Sequence, residues 1–176
     1  VWPNMEVFFH GGISFEPYRD QYKALIPSDR MHYMETYNAS EGFFGLQDNP
    51  EEHSLLLMID YSVFYEFIPI NEVGEEHPTV LPLEAVEVGK NYAMVITTSG
   101  GLWRYQIGDT VRFTSLYPHK FVISGRTKNF INAFGEELMV DNAEQAIART
   151  CAQTGASVLN YTAAPVYMTD HSKGRH

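Results

Sequence analysis

The segment from Ile123 to Leu138, I-S-G-R-T-K-N-F-I-N-A-F-G-E-E-L, sets two glycines around a cationic R-T-K cluster and a short apolar run. Glycine reaches backbone angles that a Cβ forbids, so Gly125 and Gly135 let the chain change direction at either end. That pattern reads as a hinge carrying charge and not as a core strand, and it constrains the chain to two parts joined here. Between the glycines, Arg126 offers a guanidinium fork and Lys128 a point charge, the pair that holds sugar hydroxyls or phosphate oxygens. A solvated basic turn in a β-rich domain is built from the same residues.

The periodicity on either side points to an α/β architecture. Val7 to Phe9 is predicted as a short strand, and Glu16 to Ile26 places Tyr18, Tyr22, Leu25 and Ile26 near helical spacing, with Pro27 ending the helix. His32 to Tyr37 reads as a strand leading into a turn over Ala39 to Gly42. Ser54 to Asp60 and Val63 to Pro69 are apolar runs separated by Tyr61 and Ser62, which predicts a hairpin. Asn71 to Pro78 is acidic and turn-rich and predicts an exposed loop. Tyr92 to Thr98, Thr110 to Phe113 and Phe121 to Ser124 are β-branched and aromatic runs punctuated by Gly100, Gly101, Gly108 and Pro118, and predict a small antiparallel sheet or barrel. Beyond the hinge, Met139 to Thr150 reads as a helix with a stripe of Val140, Ala143, Ile147 and Cys151 that suits packing on a sheet, and Val158 to Ala163 reads as a strand.

A chain of 176 residues that is 44% hydrophobic can bury a globular core, which excludes a disordered polypeptide. Its formal net charge of -10 leaves no basic stripe beyond Arg126 and Lys128, so a nucleic-acid partner is not expected. No apolar run approaches a membrane span, and neither a membrane partner nor a signal peptide is expected. The single cysteine, Cys151, excludes an internal disulfide and suits a reducing, cytoplasmic setting, and on its helix stripe it reads as core and not as a nucleophile. The histidines are scattered without metal-ligand spacing. The chain opens at Val1 on W-P-N-M-E-V-F-F-H-G-G, a strand running into a turn, and closes on a polar tail, so a piece of a longer polypeptide is expected.

Two further motifs set an aromatic beside small residues and then a carboxylate: T-Y-N-A-S-E-G from Thr36 to Gly42, and L-W-R-Y-Q-I-G-D from Leu102 to Asp109. H-G-G, from His10 to Gly12, precedes both. An aromatic face suits a base, while a hydroxyl and a hard carboxylate suit phosphate and Mg2+. Each string taken alone also fits an ordinary turn. In chain order, Gly11-Gly12, Tyr37 to Glu41, Tyr105 to Asp109 and Gly125-Arg126 resemble the acyl-adenylate-forming superfamily, which includes firefly luciferase, acyl-CoA synthetases and peptide-synthetase adenylation domains. That superfamily carries a Gly-Gly turn, Tyr-Gly-x-Thr-Glu, Tyr-x-Thr-Gly-Asp and a Gly-Arg hinge in the same order. The fuller wording, with S-E-G and S-G-G-L-W-R-Y-Q-I-G-D, is similar to the auxin-responsive acyl-acid amido synthetases, and more to their bacterial relatives than to the plant hormone-conjugating enzymes. The resemblance covers nearly the whole chain.

It implies an α/β fold in which residues 1–125 are the distal part of a large acyl-adenylate-forming domain, a mixed sheet plus a small β-barrel. Residues 126–129 would be the hinge and 130–176 the beginning of a small α+β C-terminal domain. It further implies ATP and Mg2+. Tyr37 then packs on adenine, Ser40 contacts the α-phosphate, Glu41 holds Mg2+, and Gly11 and Gly12 let backbone approach the base. Asp109 accepts the ribose hydroxyls, a task for an acceptor-only carboxylate, with Arg126 also reaching the ribose and Lys128 approaching the phosphates. The implied partners are a small-molecule carboxylic acid and an amine or thiol acceptor. The superfamily's Ser/Thr/Gly-rich phosphate loop and its C-terminal lysine have no counterpart here, so the isolated chain is expected to be inactive. An amino-acid acceptor makes the reaction an amido synthetase and coenzyme A makes it an acyl-CoA ligase. A non-catalytic adenylate-binding module and a purely structural β-rich domain are the remaining readings.

Overall fold

The structure, a computed structural model, describes residues 4–12, 15, 18–127 and 140–164. Strand β1 (Val7–His10) lies parallel to β2 (His32–Ala39), and the crossover that a parallel pair requires carries helix α1 (Arg19–Leu25). The remaining strand pairs are antiparallel. They comprise β3 (Gly42–Gln47), β4 (Leu55–Leu57), β5 (Val63–Pro69), β6 (Leu81–Pro82), β7 (Asn91–Thr98), β8 (Tyr105–Leu116) and β9 (His119–Arg126). Together they form one mixed nine-stranded sheet in the order β1-β2-β3-β4-β9-β8-β7-β5-β6.

The sheet curls around its own apolar face. Phe44 on β3 and Tyr65 on β5 are five places apart in that order, which would separate them by roughly 24 Å in a flat sheet. Their ring centroids lie 6.4 Å apart. The enclosed core holds Tyr37, Phe44, Leu55, Phe67, Tyr92, Met94, Ile96, Phe113 and Phe121. Phe67 sits edge-on to Phe113 at 5.1 Å and to Tyr92 at 6.1 Å, the geometry that aromatic quadrupoles favour, and burial of each such ring contributes on the order of 2–3 kcal/mol. Strand β7 is buried at five consecutive positions from Tyr92 to Ile96, as a strand covered on both faces must be. Its outer face is covered by Ile68, with Val73 and Val80 from the connection after β5. A second, smaller core of Phe15, Met31 and Tyr33, with Phe8 and Tyr22 against it, fastens α1 to the β1–β2 pair.

Helix α2 (Val140–Thr154) has the predicted stripe: Val140, Ala143, Ile147 and Cys151 are half-buried, and the helix lies beside β9. Two predicted elements are corrected. The apolar runs on either side of Tyr61-Ser62 do not pair with each other: β4 sits between β3 and β9, while β5 pairs with β6 and β7. Ser62 takes a left-handed φ of 59° as the chain leaves β4 for a different part of the sheet. Residues Val158 to Ala163 form no strand, since no neighbouring edge offers them backbone partners among the described residues. The predicted helix over Glu16 to Ile26 is described from Arg19 to Leu25, and the hinge residues from Lys128 to Leu138 lie outside the described residues.

Candidate functional site

The β2–β3 hairpin turns on Ser40 and Glu41, which leaves both side chains at a strand end with Ala39 opposite Gly42. The ladder slips between Tyr37 and Asn38, so Tyr37 faces Gly45 while Asn38 faces Phe43, and Phe44 is the extra residue. The end of β1 abuts this hairpin. The hydroxyl of Thr36 donates to the carbonyl of His10 at 3.2 Å, and a Cβ added to Gly11 would come within 2.6 Å of the Thr36 carbonyl oxygen. Only glycine fits there, and Gly12 continues the turn.

On the other side of the core, the β7–β8 ladder places Thr110 opposite Ala93 and Gln106 opposite Val95, so Ile107, Gly108 and Asp109 bulge past Met94. Gly108 has a φ of 89°, a value that other residues avoid. Asp109 lies on the same face as Val111 and Phe113, two and four residues further along the strand, and is only 8% exposed. In the β8–β9 ladder Asp109 lies directly opposite Arg126, and Nε of Arg126 is 2.9 Å from Oδ1 of Asp109. The other carboxylate oxygen, Oδ2, accepts a 2.6 Å hydrogen bond from the hydroxyl of Tyr37.

Burial raises the Tyr37 hydroxyl pKa far above its ordinary value, and the negative charge of Asp109 and the hydrogen bond to it push the same way. Arg126 opposes that shift and Glu41 adds to it, which sets the turn's carboxylate within electrostatic reach of the tyrosine. The hydroxyl therefore stays protonated and is the donor. Arg126 is 66% exposed at its side chain, so its ion pair is screened by solvent on one side. A carboxylate has about four lone-pair directions, and Asp109 uses two of them here, which leaves acceptor capacity for vicinal hydroxyls.

The structure thus gathers Gly11, Gly12, Tyr37, Ser40, Glu41, Asp109 and Arg126 around one end of the curled sheet. Lys128 lies outside the described residues. The ring of Tyr37 is packed in the aromatic core, tilted against Phe44 and Phe121. One neighbour passed over in the R-T-K cluster is Thr127, whose backbone N–H and hydroxyl both reach the carbonyl of Gly108, at 2.9 and 3.3 Å. Its signal in sequence was only its place beside Arg126. No group of three or more His, Cys, Asp or Glu among the described residues could hold a metal unaided. A lone Glu41 beside Ser40 fits Mg2+ in the manner of nucleotide sites, where one or two carboxylates join phosphate oxygens and water around the ion. Among the described residues, no helix is long and apolar enough to cross a membrane.

Comparison with known proteins places the chain in a family. The model of the GH3 family central domain matches residues 56–126. The chain is 30% identical over 181 residues to indole-3-acetic acid-amido synthetase GH3.4 of Arabidopsis thaliana and 33% identical over 182 residues to indole-3-acetic acid-amido synthetase GH3.8 of Oryza sativa subsp. indica, each over 92% of this chain. It is 32% identical over 143 residues, 78% of this chain and 27% of that protein, to a GH3 domain-containing protein of Homo sapiens. The chain spans 29% of the length of the two plant enzymes. Among solved structures, GH3.15 acyl acid amido synthetase matches with a TM-score of 0.56 and 25% identity over 76% of this chain and 24% of that one. AtGH3.15 acyl acid amido synthetase in complex with 2,4-DB matches in fold with a TM-score of 0.59 and 22% identity, over 83% of this chain and 26% of that one.

Proposed function

Because the chain belongs to the GH3 family, we propose that the whole protein is an ATP-dependent ligase that joins a small-molecule carboxylic acid to an amino acid through an acyl-adenylate. The observation that carries this reading is the buried carboxylate of Asp109, held by Tyr37 and Arg126 at the same end of the sheet as the Ser40-Glu41 turn. An acceptor-only group with free lone pairs suits a ribose diol, and a hydroxyl next to a hard carboxylate suits phosphate and its counterion.

In the first half-reaction a carboxylate oxygen of the acid attacks the α-phosphorus of ATP and pyrophosphate leaves. In the second the amine of the amino acid attacks the acyl carbonyl, loses a proton and expels AMP, forming the amide. Asp109 and Arg126 orient the ribose, Ser40 lies against the α-phosphate, and Glu41 would hold Mg2+, which neutralises phosphate charge when bound. Gly11 and Gly12 let the backbone approach the base, and Lys128 approaches the phosphates. What the protein supplies is positioning and charge stabilisation, since the leaving groups are already activated.

The curled antiparallel unit is read as the small barrel closing a large domain over residues 1–125. Residues 126–129 are then the pivot and 130–176 the start of a smaller domain whose rotation separates the two half-reactions. With no counterpart of the phosphate loop among the 176 residues, adenylation is assigned to the whole protein and not to this chain alone. The reading sets the enzyme in the cytoplasm, where ATP and free amino acids are supplied.

The test is pyrophosphate exchange by the whole protein with ATP, Mg2+ and a panel of carboxylic acids, beside the Asp109→Ala variant. Acid-dependent exchange that falls roughly a hundredfold or more in the variant is the expected result, given the strength of hydrogen bonds to a charged acceptor. Absence of exchange with every acid while AMP still binds moves the protein to the non-catalytic adenylate-binding reading, and absence of both moves it to the purely structural one. Adding amino acids or coenzyme A to a preformed adenylate decides the acceptor.

A further inference from the structure

The family resemblance gives the tyrosine of Y-N-A-S-E-G the part of an adenine platform, yet in this chain the ring is occupied. Tyr37 is 5% exposed, with its ring at 5.2 Å and 57° from Phe44 and at 6.1 Å and 68° from Phe121. Its one polar atom points the other way, into a 2.6 Å bond to a carboxylate 72 residues distant in sequence.

We propose that Tyr37 is a positioning residue that acts through its hydroxyl on Asp109, fixing the carboxylate for the ribose hydroxyls, and that it does not stack on the base. This rests on the reading of Asp109 as the ribose acceptor. Asp109 follows Gly108 on a bulge, and a side chain so placed has no regular ladder on β7 to fix its direction. Two anchors supply that direction, and they differ in kind. Arg126 is 66% exposed, so its grip is screened by solvent. Tyr37 is set in the aromatic core, where low local dielectric strengthens a hydrogen bond and packing holds the donor still. The buried anchor is therefore the firmer of the two and sets the direction of the carboxylate. The proton needed for donation is retained, because burial and the Asp109 charge both raise the Tyr37 pKa.

Tyr37→Phe in the whole protein tests this, since phenylalanine keeps the ring and removes only the hydroxyl. KM and kcat are measured for ATP and for 2′-deoxy-ATP in pyrophosphate exchange, with Asp109→Asn and the double variant alongside. The expected result is a KM for ATP raised roughly tenfold with kcat little changed. The preference for ATP over 2′-deoxy-ATP should collapse toward that of Asp109→Asn, and the double variant should be no worse than Asp109→Asn alone. The preference is a ratio taken on one preparation, so a smaller folded fraction does not alter it. A Tyr37→Phe enzyme with wild-type KM and wild-type ribose preference overturns the proposal. Should Asp109→Asn itself leave both quantities untouched, the ribose reading fails first and the proposal falls with it.

Discussion

The ladder between β5 and β7 runs through seven residue pairs without a break, from Val63 opposite Thr98 to Pro69 opposite Tyr92, whereas the ladders flanking β8 slip three times along its length. The contrast separates two tasks. Unbroken pairing keeps strict alternation, so Tyr65 and Phe67 both fall on the inner face and build the core. Slipped pairing leaves Ile107 to Asp109 without regular partners on β7, so a carboxylate that faces inward with Val111 and Phe113 sits beside a bulge and not within a closed ladder. Even the buried tyrosines divide this way. Tyr65 donates a hydrogen bond to the carbonyl of Met58 and only closes the fold, whereas Tyr37 donates one to Asp109.

The regular half breaks most heavily at Phe67, which is 0% exposed and touches Tyr65, Tyr92 and Phe113. Phe67→Ala should cost about 3–5 kcal/mol of stability, read as a lower urea midpoint, while any protein that remains folded keeps its ribose preference. A loss of preference without a loss of stability would mean that the two halves are not separate. The irregular half is probed more gently by Gly108→Ala. An added Cβ there meets nothing within 4 Å, so the penalty is that of the 89° φ alone, about 1–2 kcal/mol. Because Gly108 adjoins Asp109 within the bulge, KM for ATP should rise more than the stability loss explains. Unchanged KM would show that the carboxylate finds its place without the bulge.

The same contrast explains what was legible in sequence. Regular strands announce themselves, and the runs at Val7, His32, Val63, Tyr92 and Phe121 all appear within a few residues of their predicted bounds. Strand β3, G-F-F-G-L-Q, was hidden by two glycines that read as turn, and the first half of β8 was hidden because Gly108 signals a break where the structure makes a bulge. Apolar runs carry no address for their partners, which is why Leu55–Leu57 and Val63–Pro69 read as a hairpin and instead lie in different parts of the sheet. The candidate residues Tyr37, Ser40, Glu41, Asp109 and Arg126 were nameable from motif order, but the bond joining Tyr37 to Asp109 spans the sheet's curl, and no local pattern encodes it.

The smallest effect belongs to a cluster that serves neither half. Lys120 on β9 reaches Asp48 at 2.9 Å and Glu52 at 2.7 Å, pinning the β3–β4 connection to the sheet. Hydrogen bonding to Lys120, and then to Asn49, holds the Glu52 carboxyl below its usual range, while Glu52 and then Asp48 raise the Lys120 ammonium above its own. A depressed carboxylate contributes stability that is present above its unfolded pKa and lost as pH falls through the folded one. A raised ammonium contributes stability that is present below its unfolded pKa and lost as pH rises through the folded one. The cluster therefore stabilises across neutral pH and fades at both extremes. Lys120→Met should lower the melting temperature slightly at neutral pH and low salt, and the gap to wild type should close both in acid and at high ionic strength. A gap that persisted unchanged in acid and salt would assign the effect to the packing of the lysine stem, which is only 12% exposed, and not to its charge.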